Sequence, residues 1–140
     1  MAGSKPRRIK VYVDAKITER HKANAEHKTS VAFIADHMPD LCGFDSAEGE
    51  QSHRAEEAAM LFAIRKLTKS PTNLNRFTIV CDNKSAVLRA KWKGKRRKSK
   101  GDQTLEDLWK EVDANPEIRI RTLETNLAHA YLNLRLKQAE

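Results

Sequence analysis

Ile9, Val11 and Val13 alternate with Lys10, Tyr12 and Asp14, a period of two that predicts a short strand ending in a carboxylate. The segment from Ala15 to Thr29 is polar, with Asn24 as a turn former, and SVAFIAD (Ser30 to Asp36) is a second apolar, partly β-branched run. A hairpin or a longer excursion joins the two. Pro39, Gly43 and Gly49 punctuate an acidic stretch from Asp36 to Glu50, where Leu41 to Phe44 is the place for one more weak strand. From Ser52, a candidate N-cap, the pattern changes: RAEEAAMLFAIRKLT (Arg54 to Thr68) is rich in helix formers and free of Gly and Pro. Its centre, Ala58 to Ile64, is apolar nearly all round, which predicts a helix pressed into a core from more than one side.

After the loop SPTNLN, RFTIVCD (Arg76 to Asp82) has no polar break except Thr78, as expected of a central strand covered on both faces, and it too stops at an aspartate. Ser85 to Ala90 begins another helix, and Gln103 to Val112 is amphipathic through Leu105, Leu108, Trp109 and Val112. Asn115-Pro116 forces a turn. Ile118 to Thr122 then alternates as a last strand, and Asn126 to Gln138 carries Leu127, Ala130, Tyr131 and Leu134 at helical spacing. The order β, β, β, α, β, α, α, β, α is an α/β arrangement with helices packed on a mixed sheet. There is no internal repeat and no linker that divides the chain.

The 140 residues, 39% hydrophobic and 33% charged, suit one domain with a modest core under a heavily solvated surface. Met1 to Arg8 reads as a flexible basic arm, leaving residues 9–140 as a single domain. No apolar run approaches the roughly 20 residues a membrane span needs, and no apolar region follows the N-terminal basic residues. Cys42 and Cys81 fit neither a disulfide framework nor a zinc spacing. Free thiols, a cytoplasmic location and a monomer are the expectations.

Charge sharpens this picture. RAKWKGKRRKSKG, from Arg89 to Gly101, carries Arg89, Lys91, Lys93, Lys95, Arg96, Arg97, Lys98 and Lys100 without one acid, and the remaining Lys and Arg equal the 19 acids. The net charge of +8 is therefore the charge of one segment. Such a block beside an indole, Trp92, can neutralise phosphates and release their counterions. A solvated basic loop or a localisation tract is the bland alternative.

Three carboxylates add chemistry. Asp14 and Asp82 close apolar strands, and ligand sites in open α/β sheets gather beyond the carboxyl ends of strands. Glu56 shares a helical stripe with Ala59, Met60, Ala63, Ile64 and Leu67, whereas the stripe of Glu57 runs on to Arg65 and Thr68, so the period favours Glu56 only slightly. Singly, each acid has a structural reading as a turn cap or a partner of the helix dipole. Brought together they would repel one another, and a divalent cation would relieve that; oxygen ligands suit Mg²⁺ or Mn²⁺ rather than zinc.

Four motifs in order, IKVYVDA, SHRAEEAAMLFAI, TIVCDNKSAV and KWKGKRRKSKG before LEDLWKEVD, resemble the ribonuclease H family over Lys10 to Ala139. Laid on that pattern, Ala55-Glu56 with Ala59, Ala63 and Ile64 falls into register, which strengthens the choice of Glu56. Ala15 stands where a glycine is usual, and Asn83 where a serine is. At the C-terminus ETNLAHAYLNLRL has Ala128-His129 nearest the usual Ala-Asp, with one residue fewer after Asn126, so His129 is the candidate for the fourth metal-facing position and Glu124 the weaker one. A surface histidine is the competing reading of His129. The family's glycine-flanked histidine loop has no counterpart here.

The resemblance implies a ribonuclease H-like mixed five-stranded sheet with helices on both faces. It also implies a metal-dependent endonuclease that hydrolyses the RNA strand of RNA–DNA hybrids by a two-metal mechanism, leaving 5′-phosphate and 3′-hydroxyl ends. Asp14 would bridge both ions, Glu56 and Asp82 would each bind chiefly one, and His129 would complete a shell or assist product release. The basic segment with Trp92 would grip the DNA strand. The alternatives are a module that binds hybrid or double-stranded nucleic acid with little or no catalysis, and, more remotely, a DNA junction or transposition nuclease.

Overall fold

Alternation puts Val11 and Val13 on one side of the first strand and Tyr12 and Asp14 on the other, and the sheet is built on that division. The computed structural model describes residues 8–18, 28–48, 54–97, 102–123 and 127–138. Its strands are β1 (Ile9–Thr18), β2 (Lys28–Ala35), β3 (Met38–Glu48), β4 (Phe77–Cys81) and β5 (Arg119–Arg121), in the spatial order β3-β2-β1-β4-β5. β1, β2 and β3 form an antiparallel meander, whereas β4 runs parallel to both β1 and β5. The helices are α1 (Ala55–Thr68), α2 (Lys84–Ala90), α3 (Gln103–Ala114) and α4 (Leu127–Gln138), with a short 3-10 turn at Gly94–Arg97.

Val11, Val13, Phe33, Phe77, Ile79 and Ile120 meet Ala59, Met60, Ala63 and Ile64 of α1 in the main core. Tyr12 and Val80 meet Ala128 of α4 on the opposite face. Helices thus cover both faces, the ribonuclease H-like arrangement. α1 packs on β1 and β2 and is flanked by α2 and α3, which is why its centre is apolar nearly all round. Asn83 caps α2 by accepting from the Ala86 amide at 2.9 Å, and Asp102 caps α3 by accepting from Leu105 at 3.1 Å. Ser52, the expected cap of α1, lies outside the described residues, as do residues 1–7 of the expected arm. Among the described residues no helix is long and apolar enough to cross a membrane.

Two strands outrun their sequence signals. β1 continues past Asp14 to Thr18, and β3 extends over eleven residues despite Pro39 and Gly43. The backbone ladder with β2 carries both: Lys16 stands opposite Ser30, which stands opposite Ser46, and the two serine hydroxyls share a hydrogen bond of 2.7 Å. Asp14 therefore sits within β1 and does not end it. What ends there is the parallel ladder, whose last rung is Val13 with Cys81.

Gly43 faces Phe33 across the β2–β3 ladder, and the Phe33 ring lies over it, 5.5 Å from the ring of Phe62. A Cβ at Gly43 would run into Phe33 Cε1 and reach Cζ at 2.8 Å, and Phe33 is buried in the core. Gly43→Ala is expected to destabilise the protein by about 1–3 kcal/mol in urea unfolding through overpacking, and Phe33→Leu in that background should recover part of the loss. An unchanged midpoint would show that the ring moves freely.

Candidate metal centre

Beyond the last parallel rung, β1 and β4 offer one side chain each to the same end of the sheet: Asp14 from β1 and Asp82 from the residue after β4. The first turn of α1 brings Glu56 there, and the first turn of α4 brings His129. Glu56, Cys81 and Asp82 each have a ligand atom within 4.8 Å of the others. His129 Nδ1 lies 3.0 Å from Asp14 Oδ2, and His129 Nε2 lies 3.3 Å from Asn133 Nδ2. With the proton on Nδ1, the imidazole donates to Asp14 and accepts from the Asn133 amide, so one tautomer satisfies both contacts. Asp14 is 5% exposed, whereas Asp82 is exposed and the His129 side chain is 68% exposed. Glu56, Cys81 and Asp82 thus form one close group, and the hydrogen-bonded pair of Asp14 and His129 lies near enough for Asp14 to act on Glu56 electrostatically, with Asp82 and His129 open to solvent.

Electrostatics separate two adjacent glutamates. Burial, then the charges of Asp14 and Asp82, push the Glu56 carboxyl up to about 8. Burial also raises the Asp14 carboxyl, against the hydrogen bond from His129. Glu57 is 1% exposed and meets a different environment: Arg89 Nε donates to it at 2.8 Å and Arg89 Nη2 at 3.3 Å, with Arg54 at 3.4 Å. Arg54 also binds Asp102, the cap of α3. Glu57 is therefore the anion of a structural network joining α1, α2 and α3. Glu56 is an anion surrounded by anions.

That contrast favours a cation beside Glu56 and not beside Glu57. The strongest charges acting on Glu56 are negative, and the oxygen donors of Asp14, Glu56 and Asp82 suit a hard divalent ion such as Mg²⁺ or Mn²⁺. The site residues that sequence period leaves unmarked are Cys81, whose thiol donates to Glu56 Oε2 at 3.6 Å, and Asn133. Strand parity is the available signal for Cys81, since it puts the side chain before Asp82 on the α1 face. Glu124, the alternative to His129, lies outside the described residues.

The basic segment divides in two. Lys91, Lys93, Lys95 and Arg96 are exposed and Trp92 is half-buried, while Lys98 and Lys100 lie outside the described residues. Arg89 and Arg97, expected among the phosphate-gripping cations, are committed inward. Arg89 is bound to Glu57, and Arg97 holds Asp113 through two bonds of 2.6 and 3.0 Å and stacks over Trp109 at 5.5 Å. A buried carboxylate and a carboxylate at the end of α3 compete for them, so these two arginines fasten the described part of the segment, Arg89 to Arg97, at its two ends. Gly94, at φ +63°, opens the turn between them, a backbone region that favours glycine.

No protein-family description matches the chain, and no curated protein sequence does. Solved structures do. The ribonuclease H domain of PFV superposes with a TM-score of 0.67 at 14% identity, over 93% of this chain and 90% of that one. LC11-RNase H1, isolated from compost, gives 0.67 at 16% identity over 94% and 97%. RNase H1 from the halophilic archaeon Halobacterium salinarum gives 0.65 at 14% identity over 94% and 98%. Against the prototype foamy virus protease-reverse transcriptase the chain spans only 20% of that protein. The chain has a ribonuclease H-like fold.

The neighbouring glutamates yield opposite predictions. In EDTA, Glu56 holds a proton in the folded state between pH 4.5 and about 8 that the unfolded chain has lost, so its contribution to stability is full below that window and falls away as pH rises through it. Glu56→Gln should therefore raise the melting temperature at pH 8 and change it little at pH 4.5. Glu57→Gln, which leaves Arg89 without its carboxylate and Arg54 with Asp102 alone, should cost about 3–5 kcal/mol. Thermal melts across pH check both; equal effects at the two positions would contradict the assignment.

Proposed function

We propose that the protein is a metal-dependent endonuclease that hydrolyses the RNA strand of RNA–DNA hybrids. What supports the reading is that Asp14 and Asp82 act electrostatically on Glu56 with no dominant counter-charge there, and that His129 is hydrogen-bonded to Asp14, on a ribonuclease H-like fold. LC11-RNase H1 and the foamy viral protease-reverse transcriptase have both been solved in complex with RNA/DNA hybrid, which supports hybrid as the substrate class.

Asp14, Glu56 and Asp82 are the residues that would hold Mg²⁺ or Mn²⁺. Bound there as a pair, such ions supply an activated water and a stabilised leaving oxygen for in-line displacement. His129 orients the Asp14 carboxylate through its Nδ1–H, and Asn133 fixes the ring. Lys91, Lys93, Lys95 and Arg96 would neutralise backbone phosphates and set the position of the duplex, without reading bases. Strand choice would come from contacts to the ribose 2′-OH and from duplex shape, so sequence preference should be slight.

One observation favours a second reading, a hybrid-binding module of low activity. His129 has its Nε2 engaged by Asn133 and so presents no free nitrogen toward the acids.

A labelled RNA–DNA hybrid incubated with Mg²⁺ or Mn²⁺ should be cut in its RNA strand, and Asp14→Asn should reduce the rate by at least about a hundredfold. Hybrid retained in a salt-sensitive complex but uncut in both metals selects the second reading, and full activity of Asp14→Asn overturns the site. Mg²⁺ should also raise the melting temperature of the wild type by mass action, and less so in Asp82→Asn. Equal shifts would remove Asp82 from the ligand set.

A further inference from the structure

A second cationic surface arises from residues scattered along the chain. Lys10 stands opposite Thr78 and Thr78 opposite Arg119, one rung of three strands, and Val80 stands opposite Arg121. Ile120 points into the α1 core, so Arg119 and Arg121 project from the α4 face of the sheet, where both are exposed. Arg8 and Arg76 precede Ile9 and Phe77, whose side chains also lie in the α1 core, and therefore flank the same face. α4 packs over β1 and β2 on this side, leaving β4 and β5 to be covered by cationic side chains. The acids near it are Glu117, which Arg8 holds at 3.6 Å, and Asp36 at the β2 side beside Tyr12. Among the described residues five cations thus face these two acids, with Asp14 two residues beyond Tyr12 on the same side of β1.

Two further observations point to an anionic ligand. Arg76 Nε is buried and has no acceptor among the described residues. A cleft of about 590 Å³ also lies along the free edge of β5, lined by Lys91, Lys93, Arg119 and Arg121, by Val112 and Ile120, and by one acid, Asp113, which Arg97 already neutralises. The cleft joins the exposed lysines to the cationic sheet face. Repulsion supports the clustering: burial and the charges of Arg119 and Arg76 all lower the Arg8 guanidinium from its ordinary value.

We propose that this cleft and the β4–β5 face form a second phosphate-binding surface, which takes the backbone of a nucleic-acid strand outside the Asp14, Glu56 and Asp82 centre. The occupant follows from charge complementarity. The face presents fixed cations, with alternate residues about 7 Å apart along each strand, and its one aromatic, Tyr12, is buried, so contact is with phosphates and independent of sequence. The surface extends the nuclease reading but does not rest on cleavage.

The test is fluorescence anisotropy in EDTA with a labelled 20-nucleotide single-stranded DNA, which needs no metal and is no substrate of the proposed reaction. Arg119→Gln/Arg121→Gln should weaken binding roughly tenfold at low salt and reduce the slope of log K against log salt by about 1.4, two single-strand phosphate contacts. Arg119→Lys/Arg121→Lys should keep the slope. The single Gln variants, each lowering it by about half as much, keep the test open if the double variant melts early. An unchanged slope in the Gln variants, a wild type that binds no DNA, or poly-glutamate bound as tightly as DNA would overturn the proposal, the last by making the surface a dock for acidic protein. DNA binding intact without hybrid cleavage in either Mg²⁺ or Mn²⁺ would overturn the nuclease reading alone.

Discussion

The parallel pairing of β1 with β4 governs where every charged group of the centre falls. Its last rung joins Val13 to Cys81, two residues sealed in the α1 core, and the next residue of each strand is an aspartate. Apolar pairing thus drives two carboxylates to one end of the sheet whatever their mutual repulsion. The cost falls on the helix that packs there, where Glu56 completes a cluster of like charge. Stability and chemistry conflict at this point, and the conflict makes a cation-binding role the economical reading of a buried, a half-buried and an exposed acid set against one another.

Glu56 and Glu57 show how little separation such a division of labour needs. One hundred degrees of helix rotation takes the side chain from the aspartates to Arg54 and Arg89. The first turn of α1 therefore faces the acidic cluster with one residue and clamps α2 and α3 with the next. A shift of α1 that disturbed the network of Glu57, Arg54 and Asp102 would move Glu56 as well.

Much of this was legible in the residues, and the exceptions have physical reasons. Apolar runs marked the α1 and β4 segments closely, and an amphipathic period marked α3, because their burial is decided by their own side chains. The polar halves of β1 and β3 carry no such mark, since a backbone ladder holds them. Helical period separated Glu56 from Glu57 only weakly because both are in fact turned inward; what distinguishes them is the sign of their neighbours, which period cannot express. Charge counting located the basic segment but hid the β4–β5 face, whose five cations are cancelled in any linear sum by acids that lie elsewhere. It also assigned Arg89 and Arg97 to phosphate, when local carboxylates claim them.

Those two arginines have a consequence for how the chain can vary. Arg89 is pinned at the end of α2 and Arg97 at the end of α3, so the lysines between them belong to a span fastened at both feet. Lengthening or shortening such a span changes its reach over a bound polymer while the anchorages keep the rest of the domain in register. The stretch between the anchors can therefore change in length or charge without rebuilding the core.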